Sequence, residues 1–234
     1  MEFVLLFVDR KDQPPRAPLY EEMRKFAGEL REAGVMRLSA GPLLSEAEAA
    51  RVKVREGRAF VTDGPFAESR EVIAGFFGVD VADRAAAVEL AGRCPFARVG
   101  TVEVRGGRLM RGGPETGAPQ FLLFYQLERG APLPDEARIR QGMAEMQAFA
   151  DDLERKGSYL GGGALPPQAP AARVTSHAGR TAVTDGPFAE SKEVIAGFAL
   201  IQAGSRDEAI AISKTVPHAA WGGIEVREVA QLRR

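Results

Sequence analysis

The stretch "VTDGPFAESREVIAGF" at residues 61–76 decides the organisation of this chain, because it returns almost unchanged at residues 183–198. Fifteen of the sixteen positions are identical, and the one difference, Arg70 against Lys192, keeps the positive charge. A match of this length between two parts of one chain is typical of an internal duplication.

The similarity extends to both sides of this motif. At the same spacing of 122 residues, "ARV" at 50–52 matches residues 172–174, and "EVR" at 103–105 matches residues 225–227. The spacing changes slightly near the start of each copy, as short loop insertions would produce. The chain is therefore a tandem repeat of one unit.

The repeat predicts two domains, at residues 1–106 and 120–234. The apolar runs "FVLLF" at 3–7 and "FLLFY" at 121–125 give both domains the same start. Residues 107–119 between them are rich in Gly and Pro and show no apolar period, so we expect a flexible linker.

Each domain has the same predicted order of elements. In the first, this order is a strand at 3–8, a helix at 19–34, strands at 35–40 and within 50–64, a strand at 71–81, a helix at 83–93 and a strand at 100–105. Asp83 and Ser205 stand where the second helix of each copy needs an N-cap. This order is that of a ferredoxin-like α+β sandwich, with both helices on one face of an antiparallel sheet.

The strands are apolar on both faces, but the two helices of one domain can cover only one face of its sheet. In the strand at 3–8, one face holds Phe3, Leu5 and Phe7, and the other holds Val4, Leu6 and Val8. A sheet that is covered on one face only normally alternates apolar with polar residues. We therefore expect the two ferredoxin-like domains to pack sheet to sheet as an intramolecular pseudo-dimer, which leaves further oligomerisation open.

Composition excludes several classes of partner. The net charge is −1, from 31 basic and 32 acidic residues, whereas a nucleic-acid-binding surface needs an excess of basic residues. The apolar run near the start is too short for a signal peptide or a membrane span, so we expect no membrane association. The single cysteine, Cys94, excludes an internal disulfide, and we expect a cytoplasmic protein.

The string "VTDGPFAES" followed by Lys or Arg, with "GF" a few residues later, resembles the YCII-related family, and within it the DGPF-domain proteins. The resemblance covers both halves almost end to end. It implies a ferredoxin-like unit that forms dimeric α/β barrels, but it assigns no reaction. Some relatives are encoded beside extracytoplasmic-function sigma factors, which implies a regulatory role. Other relatives carry a His on the first helix as part of a proposed catalytic pair, where this chain has Met23 and Met146.

The motif has two interpretations. In the first, Asp63-Gly64-Pro65 is a stiff turn that fixes the register of two strands, with Gly64 allowing a positive φ and Asp63 capping nearby backbone N–H groups. In the second, the motif is a ligand site at the seam between the domains. One observation favours the second: residues 77–93 and 199–215, just after the motif, match at only two positions, Arg84/Arg206 and Ala87/Ala209.

Under the second interpretation, the polar residues of the motif are the candidate site. Carboxylates can accept hydrogen bonds or act as acid or base, and the basic residue can hold an anion. The candidate ligand-binding residues of the motif are Asp63, Phe66, Glu68, Arg70, Asp185, Phe188, Glu190 and Lys192, with Asp63, Glu68, Asp185 and Glu190 also the catalytic candidates.

Further candidates belong to the second copy alone. His218 and Trp221 stand where the first copy has Phe96 and Val99, so the second copy has the better-equipped pocket if the copies differ. Two His and one Cys make a zinc site improbable, and we predict no metal and no cofactor, although a carboxylate-only Mg²⁺ or Ca²⁺ site stays open. Cys94 is expected to be a buried structural thiol.

The sequence thus favours a protein that binds a small molecule or a protein partner at the domain seam, in a regulatory role. The alternative is a small cofactor-free enzyme that uses carboxylate acid–base chemistry on a polar metabolite. The sequence does not decide whether the protein is an enzyme.

Overall fold

The computed structural model describes residues 1–11, 13, 16–64, 71–130, 132, 134–166, 171–177, 180–186 and 193–230. The first repeat contains β1 (Glu2–Arg10), α1 (Ala17–Glu32), β2 (Met36–Ala40), β3 (Ala50–Arg55), β4 (Arg58–Asp63), β5 (Glu71–Asp80), α2 (Arg84–Arg93) and β6 (Thr101–Gly106). The second contains β8 (Gln120–Glu128), α3 (Glu136–Arg155), β9 (Tyr159–Ala164), β10 (Ala171–His177), β11 (Arg180–Asp185), β12 (Glu193–Gln202), α4 (Arg206–Lys214) and β13 (Gly223–Glu228). Strand β7 (Arg108–Arg111) lies between them.

The predicted elements are present, because their signals are local. The Asp83 carboxylate accepts a hydrogen bond from the Ala86 N–H at 2.8 Å and caps α2. The Ser205 hydroxyl accepts one from the Glu208 N–H at 3.2 Å and caps α4. The Glu208 carboxylate accepts from the Gly204 N–H, one residue before the position that a standard capping box uses.

The two repeats exchange their central hairpins. One compact unit combines residues 1–43 and 68–109 with residues 164–191 of the second repeat; the other combines residues 44–67 with 110–163 and 192–234. Hairpin β3–β4 of the first repeat therefore belongs to the unit built mainly from the second repeat, and hairpin β10–β11 belongs to the other. We call them unit 1 and unit 2, after the repeat that supplies most of each.

Unit 1 contains a six-stranded antiparallel sheet in the order β11-β10-β6-β1-β5-β2. Its four strands from the first repeat have the order expected of a ferredoxin-like domain, and the hairpin extends the sheet beside β6, where Val174 pairs with Val102. The core lies under the helices and includes Leu5, Phe77 and Ala87. Val174 and Ala172 of the exchanged hairpin belong to this core.

Unit 2 repeats this arrangement in a seven-stranded sheet, in the order β4-β3-β13-β8-β12-β9-β7. The exchanged hairpin lies beside β13, where Val52 pairs with Ile224, and both residues are in the core with Leu123. The linker is more ordered than predicted, because β7 forms the edge strand beside β9, and the Gly113 N–H donates to the Tyr159 carbonyl at 2.8 Å.

Each sheet has a second face that carries buried apolar side chains. In unit 1, Val4, Leu6 and Phe76 are buried although they are not part of the core under the helices. In unit 2, the same is true of Leu122 and Phe124. We call this the helix-free face of each sheet. The strands are therefore apolar on both faces, as the sequence predicted.

No helix in the described part of the chain is both long enough and apolar enough to cross a membrane.

Candidate functional site

The aspartates of the repeated motif anchor the exchanged hairpins. In unit 2, the Asp63 carboxylate at the end of β4 accepts a hydrogen bond from the Arg206 guanidinium at 2.5 Å. In unit 1, Asp185 at the end of β11 accepts one from Arg84 at 2.9 Å. Each arginine is the first residue of its helix. Arg84 and Arg206 therefore match between the repeats because each holds the hairpin that the other repeat supplies.

This placement favours an architectural role for the two aspartates. Their side chains are 73% and 89% exposed, and each forms a surface ion pair with an arginine. The contact of Asp63 with Arg206 is an additional one, and the predicted capping of neighbouring backbone N–H groups stays a prediction, because residues 65–70 lie outside the described residues.

The glycines of the motif are needed for two different reasons. The N–H of Gly64 donates to the Ala49 carbonyl, and the N–H of Gly186 donates to the equivalent Ala171 carbonyl. Gly186 has a φ of 109°, which L residues rarely adopt. At Gly64 the prediction of a positive φ is wrong: a Cβ atom there would lie 2.3 Å from the Glu46 carbonyl oxygen, so close approach of the backbone requires glycine.

The remaining motif candidates lie outside the described residues. They are Phe66, Glu68, Arg70, Phe188, Glu190 and Lys192.

His218 of unit 2 occupies an aromatic position of the core. Its ring stacks on Tyr125 with centroids 5.5 Å apart, as Phe96 packs on Phe7 in unit 1 at 5.2 Å. The His218 Nε2 lies 3.0 Å from the Gln126 carbonyl oxygen, to which it donates as Nε2–H. Burial lowers the pKa of His218, and this hydrogen bond opposes the shift. The neutral ring thus replaces a phenylalanine and adds one hydrogen bond.

Trp221 packs against helix α3. A Cβ atom added at Gly142 would lie 2.5 Å from the indole ring, so the ring fills the space that a side chain would take. The Arg138 guanidinium lies over the same ring, 4.2 Å from its centroid. Both contacts are made by residues of α3, which explains the position of Trp221 without a ligand.

A cluster of charged side chains lies on the helix-free face of unit 2. Arg51 of β3 forms ion pairs with Glu193 of β12 at 3.0 Å and with Glu225 of β13 at 3.8 Å. Lys53 lies 3.4 Å from the same Glu193 carboxylate. Arg227 lies 3.4 Å from Glu225 and also donates to the Leu44 carbonyl. We call Arg51, Lys53, Gln126, Glu193, Glu225 and Arg227 the unit 2 cluster.

Two members of the unit 2 cluster have unusual environments. Burial raises the pKa of Glu225, although the neighbouring Arg227 and Arg51 act in the opposite direction. The Gln126 amide N–H donates to the Glu225 carboxylate at 2.8 Å. The Gln126 amide oxygen is buried and has no hydrogen-bond donor among the described residues. A buried acceptor without a donor costs about 1–3 kcal/mol, so it points to a missing partner.

Unit 1 carries a reduced version of this cluster. Its Arg173 lies 3.0 Å from Glu71, as Arg51 lies near Glu193 in unit 2. Glu103 is buried and pairs in register with Arg173 on the neighbouring strand. Arg105 is buried and donates to the Leu165 and Pro166 carbonyls. The counterparts of Lys53 and Gln126 are Thr175 and Val8.

The sequence analysis did not select these residues, although a signal was present. The repeated strings "ARV" and "EVR" place a charged residue between apolar residues of a strand, where alternation directs it to the helix-free face. Their identity between the copies pointed to a shared role. The strings do not show that Arg51 pairs with Glu225, because that pairing depends on the exchanged hairpin.

Two smaller predictions concern Cys94 and metal ions. Cys94 is buried, as predicted, with its sulfur 3.7 Å from that of Met23, and burial raises the pKa of the thiol to about 12. Such a thiol is a poor nucleophile. Within the described ranges, no three His, Cys, Asp or Glu side chains are grouped so that they would hold a metal ion.

Comparison with known proteins places these features in a family. A model of the YCII-related domain matches residues 1–108 and again residues 122–233. An uncharacterised protein of Rhizobium meliloti (strain 1021) is 44% identical over 68 residues, which is 28% of this chain. The match spans 55% of that relative, so the chain covers about half of its length.

Proposed function

Because this chain belongs to the YCII-related domain family, with two copies of the domain in tandem, we propose a function that its own side chains support: it binds a small polar molecule on the helix-free face of unit 2. The observation that carries the proposal is the buried amide oxygen of Gln126, which has no donor among the described residues. A ligand with an N–H or O–H group would supply that donor.

The surrounding charges support a polar ligand. Arg51 and Lys53 converge on one carboxylate, Glu193, and Lys53 is partly exposed. A lysine ammonium has three donors, so the contact with Glu193 leaves donors for an anionic group. Removal of water from such a site strengthens each of these interactions.

A small molecule fits this site better than the protein partner that the sequence left open. Most of the cluster is buried or half-buried, and protein interfaces rely on exposed aromatic and arginine anchors. A regulatory role is compatible with this proposal, since binding of a metabolite is a common input to regulation. Regulation would additionally require that ligand binding changes the activity of a partner protein, which the binding site alone does not provide.

A second candidate function is acid–base catalysis by Glu225. A carboxyl whose pKa is raised by burial, inside a polar site, is the kind of group that serves as a general acid or base. This candidate replaces Asp63 and Asp185, which are exposed and paired with arginine. It predicts that Glu225→Gln still binds the ligand but no longer converts it, as product analysis by mass spectrometry would show.

The binding proposal is tested on the purified full-length protein. We expect denaturation to release a small polar molecule in near-equal amount, detected by mass spectrometry. Arg51→Met should lose this molecule, whereas the matched change in unit 1, Arg173→Met, should keep it. Thermal unfolding checks that both variants fold. Protein that releases nothing, and binds none of a panel of polar metabolites, would contradict the proposal.

The sheet-to-sheet packing that the sequence suggested also remains a proposal. We propose that the helix-free faces of the two sheets cover one another, and the apolar residues Val4, Leu6 and Phe76 on that face of unit 1 support it. Burial of a few hundred Å² of apolar surface is worth several kcal/mol at ~25 cal/mol per Å². In the full-length chain, Leu6→Cys in a Cys94→Val background should then resist labelling by a thiol reagent while the protein is folded, and rapid labelling of the folded protein would argue against the packing.

A further inference from the structure

The helix-free faces of the two units share a set of charged residues and differ at other positions. The shared pairs of the charged cluster are Arg51/Arg173, Glu193/Glu71, Glu225/Glu103 and Arg227/Arg105. Some differences exchange one apolar residue for another, such as Leu122/Val4 and Phe124/Leu6. Four others, next to the charged cluster, change the chemistry of the side chain; with unit 2 first, they are Lys53/Thr175, Phe60/Ala182, Gln126/Val8 and Gly223/Thr101.

The four residues that distinguish unit 2 lie together. Lys53 and Phe60 are directly opposite one another on strands β3 and β4. Gln126 and Gly223 are directly opposite one another on β8 and β13. The two pairs meet at Gly223, where an added Cβ atom would lie 3.2 Å from Lys53 Cε and 3.4 Å from the Gln126 amide oxygen.

The same positions are also neighbours in unit 1, where they carry different chemistry. Thr175 lies opposite Ala182, and Val8 lies opposite Thr101. Unit 1 therefore has neither the cation nor the amide nor the aromatic ring, and a threonine occupies the position of the glycine. These four changes beside the charged cluster fall on one contiguous patch, so together they alter one site.

We propose that unit 2 alone is the binding unit, and that its ligand is a small carboxylate with a neighbouring O–H or N–H group and an apolar ring. This inference rests on the proposed function and specifies its ligand. Each part of the ligand corresponds to one of the four residues.

The carboxylate is held by Lys53. Its ammonium lies 3.4 Å from Glu193, and Arg51 contributes a second positive charge nearby. The O–H or N–H group donates to the amide oxygen of Gln126, a residue that is 8% exposed. Since Lys53 Cε and this oxygen lie within 3.4 Å of one point, the carboxylate and the donor belong on adjacent atoms of the ligand.

The apolar ring is held by Phe60. This side chain is 52% exposed on the edge strand β4, beside Lys53, which is unusual for a phenylalanine in a folded protein. A ring stacked on it would cover apolar surface and gain an aromatic contact. Gly223 supplies the space, because it leaves open the point that a side chain would fill.

Mandelate is the probe that contains all three groups, and isothermal titration of the full-length protein measures its binding. Phenylacetate lacks the hydroxyl donor, glycolate lacks the ring, and 1-phenyl-1,2-ethanediol lacks the carboxylate. We expect mandelate to bind at one site per chain and each of the other three compounds to bind about tenfold more weakly or worse.

The decisive variant is Gly223→Ala, which places a methyl group at the point where Lys53 and Gln126 converge. It should fold, because the nearest atom belongs to the flexible end of the Lys53 side chain, and an unchanged melting temperature checks this. We expect binding of mandelate to weaken at least about tenfold. The matched change in unit 1, Thr101→Gly, should leave binding unchanged. Phe60→Ala should weaken mandelate about three- to tenfold and leave glycolate unaffected.

The outcomes separate the two proposals. If polar metabolites bind and Arg51→Met abolishes their binding, but Gly223→Ala and Phe60→Ala have no effect, the proposed function stands and this assignment is wrong. Two equivalent mandelate sites per chain would also overturn it. If no compound binds the wild-type protein and none is released from it, both proposals fail together.

Discussion

Gly142 and Trp221 of unit 2 stand where unit 1 has Leu19 and Val99. Leu19 is buried in the core of unit 1, whereas Val99 is exposed. In unit 2 the indole ring covers the position where a Cβ of residue 142 would be. Unit 2 thus has a large residue packed against a small one, in exchange for the Leu and Val of unit 1.

This exchange predicts that Gly142→Ala destabilises the protein, although alanine favours helices over glycine by about 1 kcal/mol. The new methyl group would clash with the Trp221 ring, and overpacking typically costs about 1–3 kcal/mol. We expect a net loss of about 1 kcal/mol, measured by urea unfolding. In a Trp221→Val background the sign should reverse, because the clash is gone.

Gly28 in α1 provides the control for this prediction. Apart from the backbone of α1 itself, no atom lies within 4 Å of a Cβ added there, so Gly28→Ala should stabilise the protein by about 0.5–1 kcal/mol. A gain at both glycines would show that the indole ring moves aside freely.

His218 predicts a pH dependence of stability. Its pKa is lowered in the folded protein from an ordinary value of 6.5, so the unfolded chain binds the proton more readily. The contribution of the neutral His218 ring to the free energy of unfolding is complete above pH 6.5 and is lost as the pH falls below this value. His218→Phe, which introduces the residue of unit 1, should remove this part of the pH dependence. It should also cost about 1 kcal/mol at pH 8, because the Gln126 carbonyl loses its donor.

Urea unfolding at a series of pH values measures both effects. If the free energy of unfolding of the wild type and of His218→Phe changed with pH in the same way between pH 5 and about 6.5, this result would contradict the lowered pKa.

At the scale of elements, the exchanged hairpin can be tested by a disulfide in the full-length chain. Val102 and Val174 are directly opposite one another on β6 and β10, which is within the reach of a disulfide. In a Cys94→Val background, Val102→Cys with Val174→Cys should therefore oxidise to an intramolecular bond, detected by peptide mapping. Val52 is the position equivalent to Val174 in the first repeat, and its partner is Ile224.

The control pair is Val102→Cys with Val52→Cys, which should stay reduced. Had each repeat kept its own hairpin, Val52 would pair with Val102 and the control would oxidise instead. The two results together distinguish the exchanged arrangement from a simple tandem of two independent domains.

The elements were predictable from the sequence, and the exchange was not. The cap at Asp83, the turn at Glu56-Gly57 and the alternation of β1 all depend on residues within a few positions of one another. The two hairpins, however, carry nearly the same contacts. Val52 or Val174, with the following Asp63 or Asp185, would fit either sheet, so nothing local to a hairpin specifies which sheet receives it.

The candidate site was partly predictable for the same reason. The repeated motif singled out Asp63 and Asp185 as site candidates, whereas their contacts with Arg206 and Arg84 anchor the hairpins. The charged cluster of unit 2 combines β3, β12 and β13, which are far apart in the chain. Its residues could be recognised as charged positions in apolar strands, but their meeting depends on the exchange.

At the scale of the whole molecule, the exchange makes the stability of each unit depend on both repeats. Unit 1 cannot keep its complete sheet if β10 and β11 unfold, and unit 2 cannot keep its complete sheet without β3 and β4. Independent tandem domains would unfold in separate steps when their stabilities differ. In this chain, the loss of one unit removes core residues from the other, such as Val174 from unit 1.

We therefore predict one cooperative unfolding transition for the whole chain, with equal calorimetric and van't Hoff enthalpies in scanning calorimetry. Leu5→Ala in unit 1 and Leu123→Ala in unit 2 are matched variants, because both side chains are fully buried at equivalent positions of β1 and β8. Each should cost about 2–5 kcal/mol. Because the units share their hairpins, each variant should shift the single transition to lower temperature without splitting it. Two resolved transitions, with each variant moving only one of them, would show that the units unfold independently in spite of the exchange.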